Sequence, residues 1–240
     1  MNVLAVNCSP KGDKGGTALI LKPFLDGMRS AGATVTVQHT NKLRIGPCLG
    51  DHICWFRTPG RCHLQDDMQA IYPLARDADV WVFGTPVYCD GVTGPMKNLL
   101  DRTIALLEPY FELRDDHCRH PRRPGVKTGK LALVSTCGFW EMDNFRPLVA
   151  HLEAWCRNAD REFAGALLRP HAPALAPYWG LQWDDVLKAA EEAGRQLVVD
   201  GRMAEDTLRT VSRPLLSREP FVERINEVFH RLVARAEKTQ

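Results

Sequence analysis

The chain has 240 residues, 45% of them hydrophobic and 25% charged, an ordinary globular composition with room for one large domain and decorations. Its 31 Lys and Arg against 29 Asp and Glu leave a formal net charge of +2, so no global field marks it as a binder of nucleic acid or membrane surfaces. No apolar run is long enough to span a bilayer, and no repeat or low-complexity tract is present.

Residues 1–10 lack the basic and long apolar regions of a signal peptide, which predicts a cytoplasmic protein. In that compartment the eight cysteines are expected to be free, catalytic or metal-bound rather than disulfide-paired. Residues 3–8 are short, apolar and β-leaning, as a buried parallel strand is. A glycine-rich loop follows. From Thr17, apolar residues recur at Ala18, Leu21, Leu25 and Met28, which is helical spacing. Pro23 is expected to bend or delay this helix, and Gly32 to stop it. Residues 34–38 alternate Val and Thr and predict a second strand.

Residues 41–66 are irregular, with Pro, Gly and three cysteines. A helix is predicted from Asp66-Asp67, with Met68, Ile71, Leu74 and Ala75 as its apolar positions and Pro73 as a qualification. Residues 80–84 are apolar throughout and predict a central third strand; residues 85–91 read as a turn. Thr93 can cap a helix that carries Pro95 in its first turn, and Met96, Leu99, Leu100, Thr103 and Leu107 predict its continuation. Residues 109–129 form a polar, basic insert with Arg119, Arg122, Arg123 and Lys127, expected as a solvated loop. A nucleic-acid role for it is not expected, because the run lacks interleaved aromatics.

Residues 131–136 predict a fourth strand, ending at Cys137-Gly138-Phe139-Trp140. A helix at 144–158 and a strand at 163–168 complete five strand–helix alternations, the pattern of an α/β doubly wound parallel sheet. The tail from 183 to 237 is helical in pattern, with breaks expected around Pro214 and Pro220. The domain reading is residues 1–200 as the core unit, with 201–240 as a helical extension packed on it or on a partner subunit.

Chemistry is expected where the first strand runs into Ser9-Pro10-Lys11-Gly12-Asp13-Lys14-Gly15-Gly16-Thr17. A hydroxyl, a cation and glycines leading into a helix N-terminus suit a phosphate, and ligands of open parallel sheets bind at strand carboxyl ends. The loop is neither a Walker P-loop nor Gly-x-Gly-x-x-Gly.

Asn7-Cys8-Ser9-Pro10-Lys11 followed by Gly16-Thr17-Ala18 resembles the phosphate-loop signature of NAD(P)H-dependent FMN reductases and iron–sulfur flavoproteins. Gly84-Thr85-Pro86-Val87-Tyr88 and residues 94–102 resemble their second flavin loop and its helix; the likeness covers roughly residues 1–140. It implies a flavodoxin-like, doubly wound five-stranded parallel sheet of order 2-1-3-4-5. It also implies FMN as cofactor and NAD(P)H as co-substrate. Ser9, Lys11, Gly16, Thr17 and Ala18 would then hold the flavin phosphate. Pro86, Val87, Tyr88 and Gly91 would border the ring, and Cys137, Gly138 and Phe139 would form a third wall. Gly16 stands where the family usually has Asn. No catalytic acid or base is assigned.

Cys48, Cys54 and Cys62 lie in a segment that resembles the four-cysteine [4Fe–4S] segment of the iron–sulfur flavoproteins, with Asp51 at the second cysteine position. A three-cysteine cluster, a zinc site completed by His52 or His63, and a loop without metal all remain open. The implied activity is an oxidoreductase passing electrons to a quinone, flavin, nitro compound or other small acceptor. The alternatives are an electron carrier without its own NAD(P)H turnover and a metal or redox sensor. A homodimer or tetramer is the expected assembly.

Overall fold

The computed structural model describes residues 1–238. Strand β1 (Asn2–Asn7) leads through a short 3-10 turn to helix α1 (Gly16–Ser30), then β2 (Thr34–His39). A single helical turn, α2 (Ile53–Phe56), precedes α3 (Met68–Asp77), β3 (Val80–Pro86) and α4 (Gly94–Arg102). A hairpin of β4 (Glu112–Arg114) and β5 (His117–Arg119) interrupts the alternation before β6 (Gly129–Thr136), α5 (Arg146–Ala159) and β7 (Arg161–Arg169). The tail contributes α6 (Asp184–Val199), α7 (Glu205–Ser212) and α8 (Arg218–Glu237).

The main sheet is wholly parallel, in the order β2-β1-β3-β6-β7. Counted within that sheet this is 2-1-3-4-5, the flavodoxin-like order the resemblance implied. Alternate residues of each strand feed opposite layers. Leu4, Val6, Trp81, Phe83, Leu131 and Leu133 pack under α3, α4 and α5, while Val3, Ala5, Val80, Val82, Ala132 and Val134 pack under α1, α6 and α7. Helices α1 and α6 approach closely because glycines meet backbone. A Cβ on Gly27 would stand 1.8 Å from the Glu191 carbonyl oxygen, and one on Gly194 would stand 1.9 Å from that of Phe24.

Several local expectations change. Helix α1 runs through Pro23; the carbonyl that the proline cannot serve belongs to Leu19, an exposed residue. Helix α4 stops at Arg102 and yields to a 3-10 turn (Thr103–Leu106), so Leu107 lies outside it. Tertiary donors meet the carbonyls where the helix gives way to the turn. The Tyr72 hydroxyl donates to the Arg102 carbonyl (2.9 Å), the Trp55 indole to Ile104 (3.1 Å) and the Arg123 guanidinium to Ala105 (3.2 Å). The Ile104 carbonyl also accepts from the Leu107 N–H (3.1 Å), the i+3 bond of the 3-10 turn.

The basic insert is only partly solvated. Arg123 is buried, with further bonds to Glu108 and the Cys54 carbonyl, and Arg122 donates to Asp160 and to the Val126 carbonyl. Pro220 sits in the first turn of α8, where proline is tolerated, so the break before that helix falls at residues 213–217 alone. Beyond residue 200, Met203 and Val211 still pack into the α1/α6 layer. No described helix is long and apolar enough to cross a membrane.

Candidate functional site

Three loops leave the carboxyl edge of the sheet. The first, after β1, is organised by Ser9, which is buried. Its backbone N–H donates to Asn7 Oδ1 (3.1 Å), its Oγ accepts from the Lys11 N–H (3.3 Å), and its carbonyl accepts from the Gly12 N–H (2.9 Å). Gly12 has φ +53°, in the left-handed region, and a Cβ on Gly15 would stand 2.7 Å from Ser9 Oγ. Glycines at these points let the loop close on itself before the helix starts.

The residues expected to hold phosphate divide by what they already bond. The Ala18 N–H is committed to the Gly15 carbonyl (3.0 Å), whereas the N–H groups of Gly16 and Thr17 have no backbone or side-chain acceptor among the described residues. Those two open the first turn of α1, where donors stand free and the helix dipole favours an anion. Lys11 is exposed beside them. Thr17 is buried, its hydroxyl within 2.8 Å of the Thr136 hydroxyl at the end of β6, which couples this loop to the third.

The second loop begins at Pro86, the last residue of β3. Val87 donates its N–H to the Thr136 carbonyl (2.8 Å), joining the second loop to the same strand end. Tyr88 and Gly91 exchange two backbone bonds (3.1 and 3.0 Å) around Cys89 and Asp90, both with positive φ (46° and 62°). That is a tight two-residue turn of the left-handed type. Tyr88 is 47% exposed, so it is not a core residue. Thr93 caps α4 by accepting from the Met96 N–H (3.4 Å), and its hydroxyl donates to the Cys8 carbonyl (2.9 Å), tying the second loop to the base of the first.

The third loop is Cys137-Gly138-Phe139. Cys137 donates its N–H to the Arg169 carbonyl (3.0 Å), and its carbonyl accepts from the Ala172 N–H (2.9 Å). Burial pushes the Cys137 thiol above its ordinary value, which suits a packed thiol better than a nucleophile. Phe139 is 67% exposed. A Cβ on Gly16 would meet Ala172 at 3.7 Å, so the loop after β7 completes the rim beside the first loop.

A support lies behind this rim that sequence reasoning missed. Arg169 and His171 are both fully buried. Arg169 donates to the carbonyls of Val211 and Arg213 (2.9 Å each), and its other nitrogen stands 2.6 Å from His171 Nε2. His171 Nε2 also accepts from the Leu215 N–H (3.1 Å), and the His171 N–H donates to the Phe139 carbonyl (2.7 Å). The pair therefore clasps the tail to the third loop. Burial, then the neighbouring Arg169, pushes the His171 pKa down to about 3, so the ring is neutral. No local motif announces the pair: an isolated Arg-x-His gains meaning only once the tail returns to it.

The cysteine segment is a second concavity, of about 30 Å³, lined by Cys48, Asp51, His52, Cys54, Cys62, His63 and Arg102 among others. That volume holds a water or two. The three thiols are thus brought together, but no group of three or more His, Cys, Asp or Glu among the described residues stands at metal-holding geometry. Asp51 is already spent: Oδ1 accepts from the Ile53 N–H (3.0 Å) and Oδ2 lies 2.7 Å from His63 Nε2. These contacts, the Ile53 N–H first, hold its carboxyl below the usual range. Three thiols and a committed carboxylate do not match the four-thiolate set of a [4Fe–4S] cluster. The strand-end loops, by contrast, offer the kinds of group that the FMN implied by the resemblance would use: free N–H groups and an exposed cation for its phosphate, and exposed aromatic side chains at Tyr88 and Phe139 on the neighbouring loops.

Comparison with known proteins agrees with this geometry. The sequence pattern of the family described as NADPH-dependent FMN reductase matches residues 1–138. An iron-sulfur flavoprotein of Archaeoglobus fulgidus is 33% identical over 115 residues, covering 48% of this chain and 55% of the relative. One of Methanocaldococcus jannaschii is 30% identical over 115 residues, covering 48% and 58%. The matched part thus spans about half the length of these curated relatives. Among solved structures, an FMN-dependent NADH-azoreductase from Bacillus anthracis in complex with FMN superposes with a TM-score of 0.58 at 15% identity, covering 82% of this chain and 99% of the other. An NAD(P)H:quinone oxidoreductase from Methanothermobacter marburgensis gives 0.56 at 17%, covering 82% and 96%. At such identities the structures establish the shared fold.

Proposed function

The chain belongs to the NADPH-dependent FMN reductase family, and from that premise we propose that it is an FMN-dependent oxidoreductase carrying electrons from NAD(P)H to a small quinone-, flavin- or nitro-type acceptor. The observation that carries this reading is the joining of all three strand-end loops at Thr136, through the Thr17 hydroxyl and the Val87 N–H.

In this reading the Gly16 and Thr17 N–H groups and Lys11 receive the phosphate, while buried Ser9 holds the loop in shape. Pro86, Val87, Tyr88 and Gly91 border one side of the ring, and Cys137, Gly138 and Phe139 the other. Bound FMN would supply the hydride-accepting chemistry. Tyr88 and Phe139, both exposed, would give NAD(P)H and acceptor an apolar surface on which to stack.

Incubation with FMN followed by desalting should leave the protein yellow, and NADH or NADPH should then be oxidised in the presence of a soluble quinone. Colourless protein after desalting sinks the proposal. The second reading, an electron carrier, draws support from the curated relatives' description as iron-sulfur flavoproteins. Retained FMN without NAD(P)H turnover, and reduction only by a protein donor, would favour it.

A further inference from the structure

A cleft of about 210 Å³ lies at the amino edge of the sheet, opposite the strand-end loops. Trp81, second in β3, and Arg161, first in β7, line it together with Trp155 of α5 and with Leu106 and Leu107. Two features set it apart from a simple gap in packing.

The first is a buried cation without a counter-ion. Arg161 is 7% exposed. Its Nη2 reaches the carbonyls of Ala75, Ala78 and Lys127 (3.5, 3.4 and 3.2 Å), while Nε and Nη1 have no acceptor among the described residues. The acids nearby are spent, Asp160 on Arg114 and Arg122 (2.8 and 2.7 Å) and Asp79 on Lys127 (3.2 Å). Burial lowers the Arg161 pKa to about 10, which leaves the group charged at neutral pH. A buried guanidinium without an anion carries a desolvation cost that a bound carboxylate offsets.

The second is the lining. The guanidinium lies over the Trp81 indole (4.3 Å to the centroid), and the Trp155 ring stands 5.5 Å from that of Trp81, tilted by 37°. Such faces suit a flat ring. The one carboxylate of the cleft, Asp101, is held by Lys97 (2.5 Å). Arg161 also borders a wider concavity of about 460 Å³, but that one is lined by Asp115, Asp160 and Glu162 and by no aromatic side chain. An apolar cavity of about 150 Å³ takes benzene, so the size here suits one ring with a small substituent.

We propose that this cleft is a second small-molecule site, which binds a single-ring aromatic monocarboxylate with its ring against Trp81 and Trp155 and its carboxylate on Arg161. The inference is independent of the flavin reading.

Calorimetric titration of the full chain with benzoate should show one site per chain, with indole fluorescence changing along the same curve. Saturating FMN should leave that curve unmoved. Benzamide, which keeps the ring, and inorganic phosphate, which keeps the charge, should each bind about tenfold more weakly or worse. Arg161→Gln should weaken benzoate to the same extent and leave benzamide unchanged, with the thermal midpoint as the check on folding. Asn158→Glu sets a carboxylate at an exposed position of the cleft, away from the core, and should weaken benzoate alone. The proposal is overturned by benzoate that does not saturate, by its displacement with FMN, or by benzamide or phosphate binding as tightly. Parent-like benzoate affinity in either variant overturns it as well.

Discussion

The strand-end loops and the cysteine segment both gather polar groups into a concavity, but they spend those groups differently. In the loops, Ser9, Thr17, Thr93 and Thr136 bond one another's segments, and the Gly16 and Thr17 N–H groups are left over. In the cysteine segment the group at the second cysteine position, Asp51, is taken by Ile53 and His63. A binding site is recognised by the donors its own scaffold leaves unspent, and by that measure the two regions differ more than their motifs suggest.

The largest effect would come from removing the difference. Asp51→Cys supplies the fourth thiolate, so anaerobic reconstitution with ferrous iron and sulfide should load about four irons per chain, against none in the parent protein. Flavin affinity should not move in either. Stoichiometric iron in the parent would break the comparison.

Gly16→Asp tests the loops. The new Cβ meets only an ordinary contact with Ala172, so folding should persist. In the proposed site the carboxylate would stand against the flavin phosphate, and FMN affinity should fall by about 3 kcal/mol, roughly a hundredfold, in a fluorescence titration.

The clasp behind the third loop should show in pH dependence. The folded His171 pKa of about 3 lies below the ordinary 6.5, so only the unfolded chain takes up the proton as pH falls below that value. Stability is therefore complete above about pH 6.5 and is lost towards pH 3, by about 2 kcal/mol between pH 7 and pH 5 from this group. Urea unfolding at the two pH values measures it, and His171→Gln should flatten the slope. An unchanged slope in that variant would remove His171 as the cause.

The smallest effect is a gain. Gly16→Asn restores the family's usual residue and should tighten FMN by about 1 kcal/mol, one hydrogen bond's worth. Weaker binding would mean that the loop of this chain does not present that side chain to the flavin.

Much of the site was legible early because its parts are local. Ser9 to Thr17 directly follow an apolar strand, and Pro86 to Gly91 follow the most apolar one, so both loops fall at strand ends without any tertiary knowledge. The end of α4 was not legible, because the groups that meet the carbonyls of Arg102, Ile104 and Ala105 at the change to a 3-10 turn come from Tyr72, Trp55 and Arg123, distant in sequence. Nor was the anchoring of the insert by Arg122 and Arg123, which look solvated in a basic run until Asp160 and Glu108 arrive.

Apolar periodicity and turn residues, which act over a few neighbours, were enough to determine the five strands, their alternation with helices and the glycine-rich loop of this chain. Tertiary structure alone decided which N–H groups stay free, which thiols share a cavity, that Asp51 is spent on His63, and that Arg169 and His171 fasten the tail. Those outcomes depend on groups distant in sequence competing for the same hydrogen bonds, and no local pattern records who wins.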